Sequence, residues 1–445
     1  MRVSIIGAGH VGLVTGACLV EKGHRVVCVD VDQRKVDAVN RGECPFYEKG
    51  LGELLRKHAG ARLQATTDLH AAVLETDLTF IAVGTPFDGQ VIDLTYVKEA
   101  VRQVGQALRR KSSYHVVVIK STVIPGTTDQ VVRPVLEEAS GKKAGADFGL
   151  GMNPEFLTEG EAVEDFMHPD RLVLGGIDER TIDVMDELYG AFKGVERVRT
   201  NTGTAEMIKY VSNCLLATLI SFSNEIANLC SRLGGIDSVD VMRGMHLSKY
   251  LSSVLPRGER LSPSILSFLA AGCGFGGSCL PKDVNALIAQ GKARGLPMRM
   301  LESVLAVNEE QPQQMLARLR KHFPSLAGIR VAVLGLAFRP DTDDMRESPA
   351  IPFIKTLLSE GARVQAYDPA ANRPAQKLFA PGRVAFCDNL ETAVNGAQAV
   401  ALVTRWNEFL RLPELLQGRE PQPIVVDGRR LLDKNSVACY EGIGL

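Results

Sequence analysis

The run Gly7-Ala8-Gly9-His10-Val11-Gly12 constrains the fold more than any other stretch. It follows Val3-Ser4-Ile5-Ile6, which reads as a buried strand, and it opens a segment of helical spacing. The next strand-like run, Val26 to Asp30, ends on an acid. A tight turn, a close backbone approach to a pyrophosphate and close helix–strand packing each favour a residue without Cβ, and the three glycines stand where those demands fall. The helix that follows offers N–H groups and a favourable dipole to the anion. Asp30 suits a ribose 2′-OH and would repel a 2′-phosphate, so NAD is expected rather than NADP. A structural turn with a solvent-facing Asp is the alternative, and strand, turn, helix and acid together argue against it.

The rest of the first two hundred residues continues the alternation. Leu78 to Val83, Val116 to Ile119, Phe148 to Met152 and Leu172 to Gly175 read as strands between helical stretches, the sign of βαβ units and a parallel sheet. Gly84-Thr85-Pro86 and Val123-Ile124-Pro125-Gly126 fall at strand ends, where α/β proteins bind ligands. Near residue 203 the pattern changes. Ala205 to Leu233 holds neither Pro nor Gly and reads as one long helix closed by Gly234-Gly235. A second α/β block starts at Gly328, with strands at Ile329 to Leu334, Val364 to Tyr367, Ala399 to Val403 and Ile424 to Val426. Its turn, Gly335-Leu336-Ala337-Phe338, lacks the second glycine, so it is expected to hold a different nucleotide or none. The fold class is therefore α/β, with two Rossmann-like domains of parallel sheets joined by a long central helix and a helical middle domain. The boundaries are placed at 1–202, 203–310 and 311–445.

Net charge of -1 removes any bulk electrostatic case for nucleic acid or an anionic membrane as partner. No apolar run reads as long enough to span a bilayer. Nine cysteines without metal-type pairing read as free thiols, and Met1 runs directly into a strand, so a cytoplasmic setting is expected and no metal site.

One thiol stands apart. Cys279 lies in Gly276-Gly277-Ser278-Cys279-Leu280-Pro281-Lys282-Asp283. A helix starting after that turn would depress its pKa and favour an oxyanion, and Lys282 would add positive potential. Cys214, Cys230 and Cys273 read instead as small buried hydrophobes. On the long helix Glu206, Lys209 and Asn213 share one face. By default such a lysine is exposed with its stem along the surface; otherwise amine and amide suit sugar hydroxyls. Glu155 and Glu159, in Asn153-Pro154-Glu155-Phe156-Leu157-Thr158-Glu159-Gly160, are either base and hydroxyl ligand or acids at a helix N-terminus.

The motifs GAGHVG, VGTP, STVIPGT, NPEFLTEGEAVEDF, HPDRLVLGG, AEMIKYVSN, GFGGSCLPKD, TDDMRESP and VVDGRR, in this order, make the chain resemble the UDP-glucose/GDP-mannose 6-dehydrogenase family over nearly its whole length. The resemblance implies four-electron oxidation of a nucleotide sugar from C6 alcohol to carboxylate with two NAD per sugar, a nucleotide-binding C-terminal domain and a homodimer through the long helix. It implies Cys279 as nucleophile through a thiohemiacetal and a thioester, Lys209, Asn213 and Asp283 as assistants, Thr122 and Asp283 positioning a water, and Glu155 as base in the hydrolysis. For the cofactor it implies Gly7, Gly9, His10, Val11, Gly12, Asp30, Lys35, Gly84, Thr85, Thr122, Glu159 and Arg346. For the sugar nucleotide it implies Glu155, Phe156, Leu157, Glu159, Lys209, Asn213, Tyr250, Phe275, Gly276, Arg339 and Arg429. Arg339 stands where the family often has Lys, and His246 to Ala271 is longer than usual. The stretches at 168–171, 404–409 and 427–430 lean to UDP-glucose, which is expected as substrate. Those at 141–145 and 247–251 resemble the GDP-mannose branch, and a UDP-N-acetylhexosamine is the further alternative. A single-hydride hydroxyacid dehydrogenase would leave Cys279 and the second α/β block without a role. A non-catalytic binder would be expected to lack the reactive residues present here.

Overall fold

The computed structural model describes residues 1–445, which form two compact units, Met1–Ser212 and Asn213–Leu445. The first is built on eight strands: β1 (Arg2–Ile6), β2 (Arg25–Val29), β3 (Leu63–Thr66), β4 (Leu78–Ile81), β5 (Val116–Ile119), β6 (Gly149–Met152), β7 (Arg171–Gly176) and β8 (Glu196–Thr200). They lie in the order β3-β2-β1-β4-β5-β6-β7-β8. The strands β4, β5 and β6 are buried along their whole length. Helices cover both faces, which is why their sequences are continuous apolar runs rather than alternating ones. One pairing departs from the parallel sheet expected from sequence: β6 and β7 run antiparallel. These two strands are joined by loop and one short helix, Ala162–Met167, rather than by a full crossover helix.

The first helix, His10–Glu21, buries nine of its residues, Gly12 through Val20, so its sequence is apolar nearly all round. On the other face, helix Thr95–Arg109 turns Val97, Val101, Val104 and Leu108 inward at helical spacing.

In the second unit a two-stranded hairpin, β9 (Ser253–Val254) with β10 (Arg260–Leu261), occupies the middle of the long segment before Cys279. Six further strands, β11 (Arg330–Leu334), β12 (Arg363–Tyr367), β13 (Val384–Phe386), β14 (Ala399–Leu402), β15 (Ile424–Asp427) and β16 (Tyr440–Gly442), form a wholly parallel sheet in the order β13-β12-β11-β14-β15-β16. This repeats the order of the first six strands, so the two α/β blocks share one topology. The two blocks differ at the turn after their first strand. Asp368, closing β12 as Asp30 follows β2, is 1% exposed, and its two oxygens accept from Leu336 N, Ala337 N, Ala370 N, Ala371 N and Trp406 Nε1. Its acceptors are spent on the fold, so it has little left for a ribose.

The long helix runs from Thr202 to Leu233, about 48 Å at 1.5 Å per residue. By length and composition it is apolar enough to cross a membrane, which corrects the expectation that no such run exists. Its buried side carries Glu206, Lys209, Asn213, Ser221 and Asn224. Polar groups of this kind mark the helix of a folded core rather than a lipid-facing segment.

Candidate active site

In the first unit the cofactor cradle is assembled from strand ends. Gly7 adopts φ +105°, and a Cβ there would meet the Ala82 carbonyl oxygen at 2.6 Å, so the turn needs glycine. Helix His10–Glu21 begins at once, and no side chain caps it. That suits an anion at its N-terminus. Asp30 is pinned against the turn: Oδ2 accepts from Ala8 N at 2.9 Å, Oδ1 from Asp32 N at 3.0 Å, and Lys35 Nζ lies 3.4 Å away. Thr85 Oγ1 donates to Thr122 O at 2.7 Å, tying the turns after β4 and β5 together.

Glu48, which the sequence reading passed over, completes the cradle. Its side chain is fully buried. One oxygen meets His10 Nε2 at 2.6 Å and accepts from Gly160 N at 2.8 Å, while the other accepts from Ala162 N at 3.0 Å. The carboxylate thus joins the glycine-turn helix to the segment that carries Glu159. Only the acid's position in an otherwise unremarked loop, Tyr47-Glu48-Lys49, hinted at it.

The second cluster centres on Glu155, beyond the end of β6. Its Oε1 is 3.0 Å from Lys209 Nζ and its Oε2 accepts from Leu157 N at 2.7 Å. Both side chains are buried, so Lys209 is not the exposed lysine that its sequence surroundings would give by default. Burial pushes the Glu155 carboxyl upward, but the Lys209 charge, the Leu157 N–H and Lys120 outweigh it and hold it below the usual carboxylate range. The Phe156 ring lies under the Arg171 guanidinium at 4.0 Å and near Lys209 Nζ at 5.6 Å. One turn before Lys209, the fully buried Glu206 accepts from Gly126 N at 2.5 Å, Thr128 N at 2.8 Å and Thr128 Oγ1 at 2.6 Å. Burial pushes its carboxyl up against those three bonds. Glu206 therefore serves the loop after Thr122, although it shares a helix face with Lys209 and Asn213.

In the second unit Cys279 is half-buried and sits at the N-cap of helix Leu280–Ala293, with Pro281 in the first turn and Asp283 N donating to Cys279 O at 2.8 Å. This is the helix start anticipated from sequence, and it places the thiol in the field of the helix N-terminus. Lys282 does not act as anticipated. Its Nζ is 2.6 Å from Asp283 Oδ1, so its charge is matched by that fully buried acid. Asp283 Oδ2 accepts from Asn213 Nδ2 at 2.6 Å. The approach to Cys279 is locked on both sides: Phe275 N and O bond the Asn308 amide, and Gly277 N donates to Arg346 O at 2.9 Å. A Cβ on Gly276 would collide with the Glu347 carbonyl. Cys273 and Cys214 are buried thiols pushed upward, Cys214 to about 12, as expected of bystanders.

The remaining candidates are more scattered. Arg429 donates through Nε to Val403 O at 2.6 Å and packs beside Gly272. Arg346 pairs with Asp344 at 2.7 Å and is mostly exposed. Arg339 is half-buried, and Tyr250 is 86% exposed near the hairpin.

Sequence comparison shows what this arrangement belongs to. The profile of the UDP-glucose/GDP-mannose dehydrogenase family matches in three parts: its NAD binding domain over residues 1–193, its central domain over 203–310 and its UDP binding domain over 332–434. The chain belongs to this family. Among its members, the UDP-glucose 6-dehydrogenase of Haloferax volcanii is 43% identical, with 100% of each chain covered. The GDP-mannose 6-dehydrogenase of Pseudomonas aeruginosa is 40% identical over 83% of this chain and 81% of its own. The solved structure of a UDP-glucose dehydrogenase from Pyrobaculum islandicum superposes with a TM-score of 0.88 at 37% identity, covering 100% of this chain and 97% of that one. As a family member the chain is an NAD-dependent oxidoreductase acting on a nucleotide sugar. The uncapped helix, the Gly7 turn and Asp30 fit that cofactor.

Proposed function

We propose that the chain oxidises UDP-glucose at C6 to UDP-glucuronate, with Cys279 as a covalent nucleophile. The observation that carries the covalent step is the half-buried thiol at the N-cap of helix Leu280–Ala293, beside the buried Asp283–Asn213 pair. NAD, when bound, takes up the hydride of each oxidation. The residues do the rest. Cys279 thiolate adds to the C6 aldehyde, giving a thiohemiacetal and, after the second oxidation, a thioester. Lys209 and Asn213 stabilise the oxyanion at C6. Glu155, held as carboxylate by Lys209, takes the proton of the hydrolytic water, which Thr122 and Asp283 orient.

Residues 1–202 would hold the cofactor and 311–445 the nucleotide, with Arg429 on the nucleotide side and Arg346 toward the cofactor. Residues 203–310 would form the dimer. The stripe Val211, Leu215, Phe222, Leu229 and Leu233 on the long helix, 46–64% exposed, supports a second copy as its cover. Nine free cysteines suit a reducing, cytoplasmic setting. UDP-glucose is favoured over GDP-mannose because relatives 43% and 41% identical over 99–100% of this chain are named for UDP-glucose, and a solved UDP-glucose dehydrogenase superposes with a TM-score of 0.88 against 0.54 for a GDP-mannose dehydrogenase. The test is turnover of UDP-glucose, GDP-mannose and UDP-N-acetylglucosamine under identical conditions. UDP-glucose should give the highest kcat/KM; a higher value for either of the others overturns the assignment.

A further inference from the structure

Lys120 is a buried charge that the roles above leave unused. It follows β5, is 3% exposed, and its Nζ stands 5.4 Å and 6.0 Å from the Phe80 and Phe166 ring centroids. Its ammonium donates to Asn153 Oδ1 at 2.9 Å. That acceptor also takes the Tyr189 hydroxyl at 2.6 Å, and Asn153 Nδ2 donates to Val173 O at 2.9 Å, so the amide is fixed in place. An ammonium has three N–H groups, and one bond leaves two directions open.

Lys120 lines a cavity of about 240 Å³. The buried Lys120, Asn153 and Glu155 line it together with the equally buried Phe166, Val173 and Tyr189. His168 and Asp170, whose side chains are 72% and 71% exposed, line its mouth. With Lys120, Asn153 and Glu155 in its wall, the space offers polar partners and is large enough for several water molecules. A buried carboxylate and a buried amine therefore share one chamber that leads to solvent.

The chemistry needs such an exit. Converting a primary alcohol, two NAD and one water to a carboxylate and two NADH releases three protons, and the one that Glu155 takes from the hydrolytic water starts on a buried side chain. We propose that this cavity carries protons away from Glu155, with Lys120 as the relay. Protonated Glu155 passes its proton through cavity water to the neutral Lys120 amine. The ammonium so formed gives a proton to water at the His168–Asp170 mouth, and both groups return to their starting states. The relay rests on Glu155 acting as the base in the reaction proposed above. Lys120 acts through Glu155 and is a positioning residue, not one that meets the substrate.

The groups facing Lys120 suit this traffic. Burial lowers its ammonium to about 8, Glu155 opposes that shift, and Lys209 on the long helix adds to it. Both forms of the amine are thus populated near neutral pH. Asp165 from helix Ala162–Met167 and Arg171 at the start of β7 also border the cavity, but Arg171 is turned to the Phe156 ring and Ser212.

The test uses the full-length enzyme in stopped flow, with enzyme and nucleotide sugar equimolar in weak buffer. NADH is followed by absorbance and protons by an indicator dye. In the wild type two protons should rise with the two NADH and the third with hydrolysis of the thioester. Lys120→Arg keeps the charge but cannot become neutral, and Lys120→Met keeps the stem against Phe80 and Phe166. In both, the proton of hydrolysis, the last of the three, should appear roughly tenfold or more slowly than in the wild type. Methylamine should restore that rate in Lys120→Ala. Variants with wild-type melting temperature and NAD affinity whose third proton appears at the wild-type rate would overturn the relay. If Lys120→Met fails to fold, the arginine variant decides. A wild type that makes no NADH from any nucleotide sugar would instead remove the reaction on which the relay rests.

Discussion

Glu155 and Lys209 show how one buried pair joins stability to chemistry. Removing one partner of such a pair strands the other charge in a dry site and costs about 3–5 kcal/mol. Lys209→Met should therefore lower stability to denaturant by that order. The pH dependence has a definite sign. The Glu155 pKa is depressed in the folded state, so its contribution is present above the ordinary carboxylate range and is lost as pH falls through the depressed value. In Lys209→Met that contribution is gone, so the gap from wild type should be wide near pH 8 and narrow toward pH 4. Denaturation curves at several pH values measure it, and a gap that stays constant down to pH 4 contradicts the pairing. Of the two readings left open for Glu155, the contact with Lys209 favours the base. Sequence spacing did not reveal that contact, because the partners are 54 positions apart and meet through the fold.

At the scale of elements, the loop after β5 hangs on Glu206 of the long helix. Its two oxygens face three donors, and an amide in their place turns an N–H toward one of them. Glu206→Gln should cost about 1–3 kcal/mol and raise the KM for NAD, since Thr122 lies on the tethered loop. Calorimetry and initial rates check this; a variant with unchanged melting and KM refutes the tether. The long helix, the glycine turn and the helix starting at Cys279 were all legible in the sequence, because each rests on local signals: apolar spacing, breakers and caps. Glu48 and Lys120 were not. Each is decided by which strand ends and loops lie side by side, and no spacing rule encodes that. The antiparallel β7 escaped for the same reason: an apolar run does not state the direction in which it pairs.

For the whole molecule, the repeated strand order places two Rossmann-like blocks in one chain, and the closed acceptors of Asp368 separate the second block's task from the first. The apolar stripe of the long helix predicts assembly. Leu215→Glu combined with Phe222→Glu should convert a dimer to a monomer in sedimentation equilibrium, whereas an unchanged mass would place the interface elsewhere. The central claim is a four-electron oxidation held on Cys279, and its most direct measure is the NADH formed per UDP-glucose consumed to completion. The account predicts two NADH for each sugar, with UDP-glucuronate as the product. One NADH per sugar, with the aldehyde released, would contradict it.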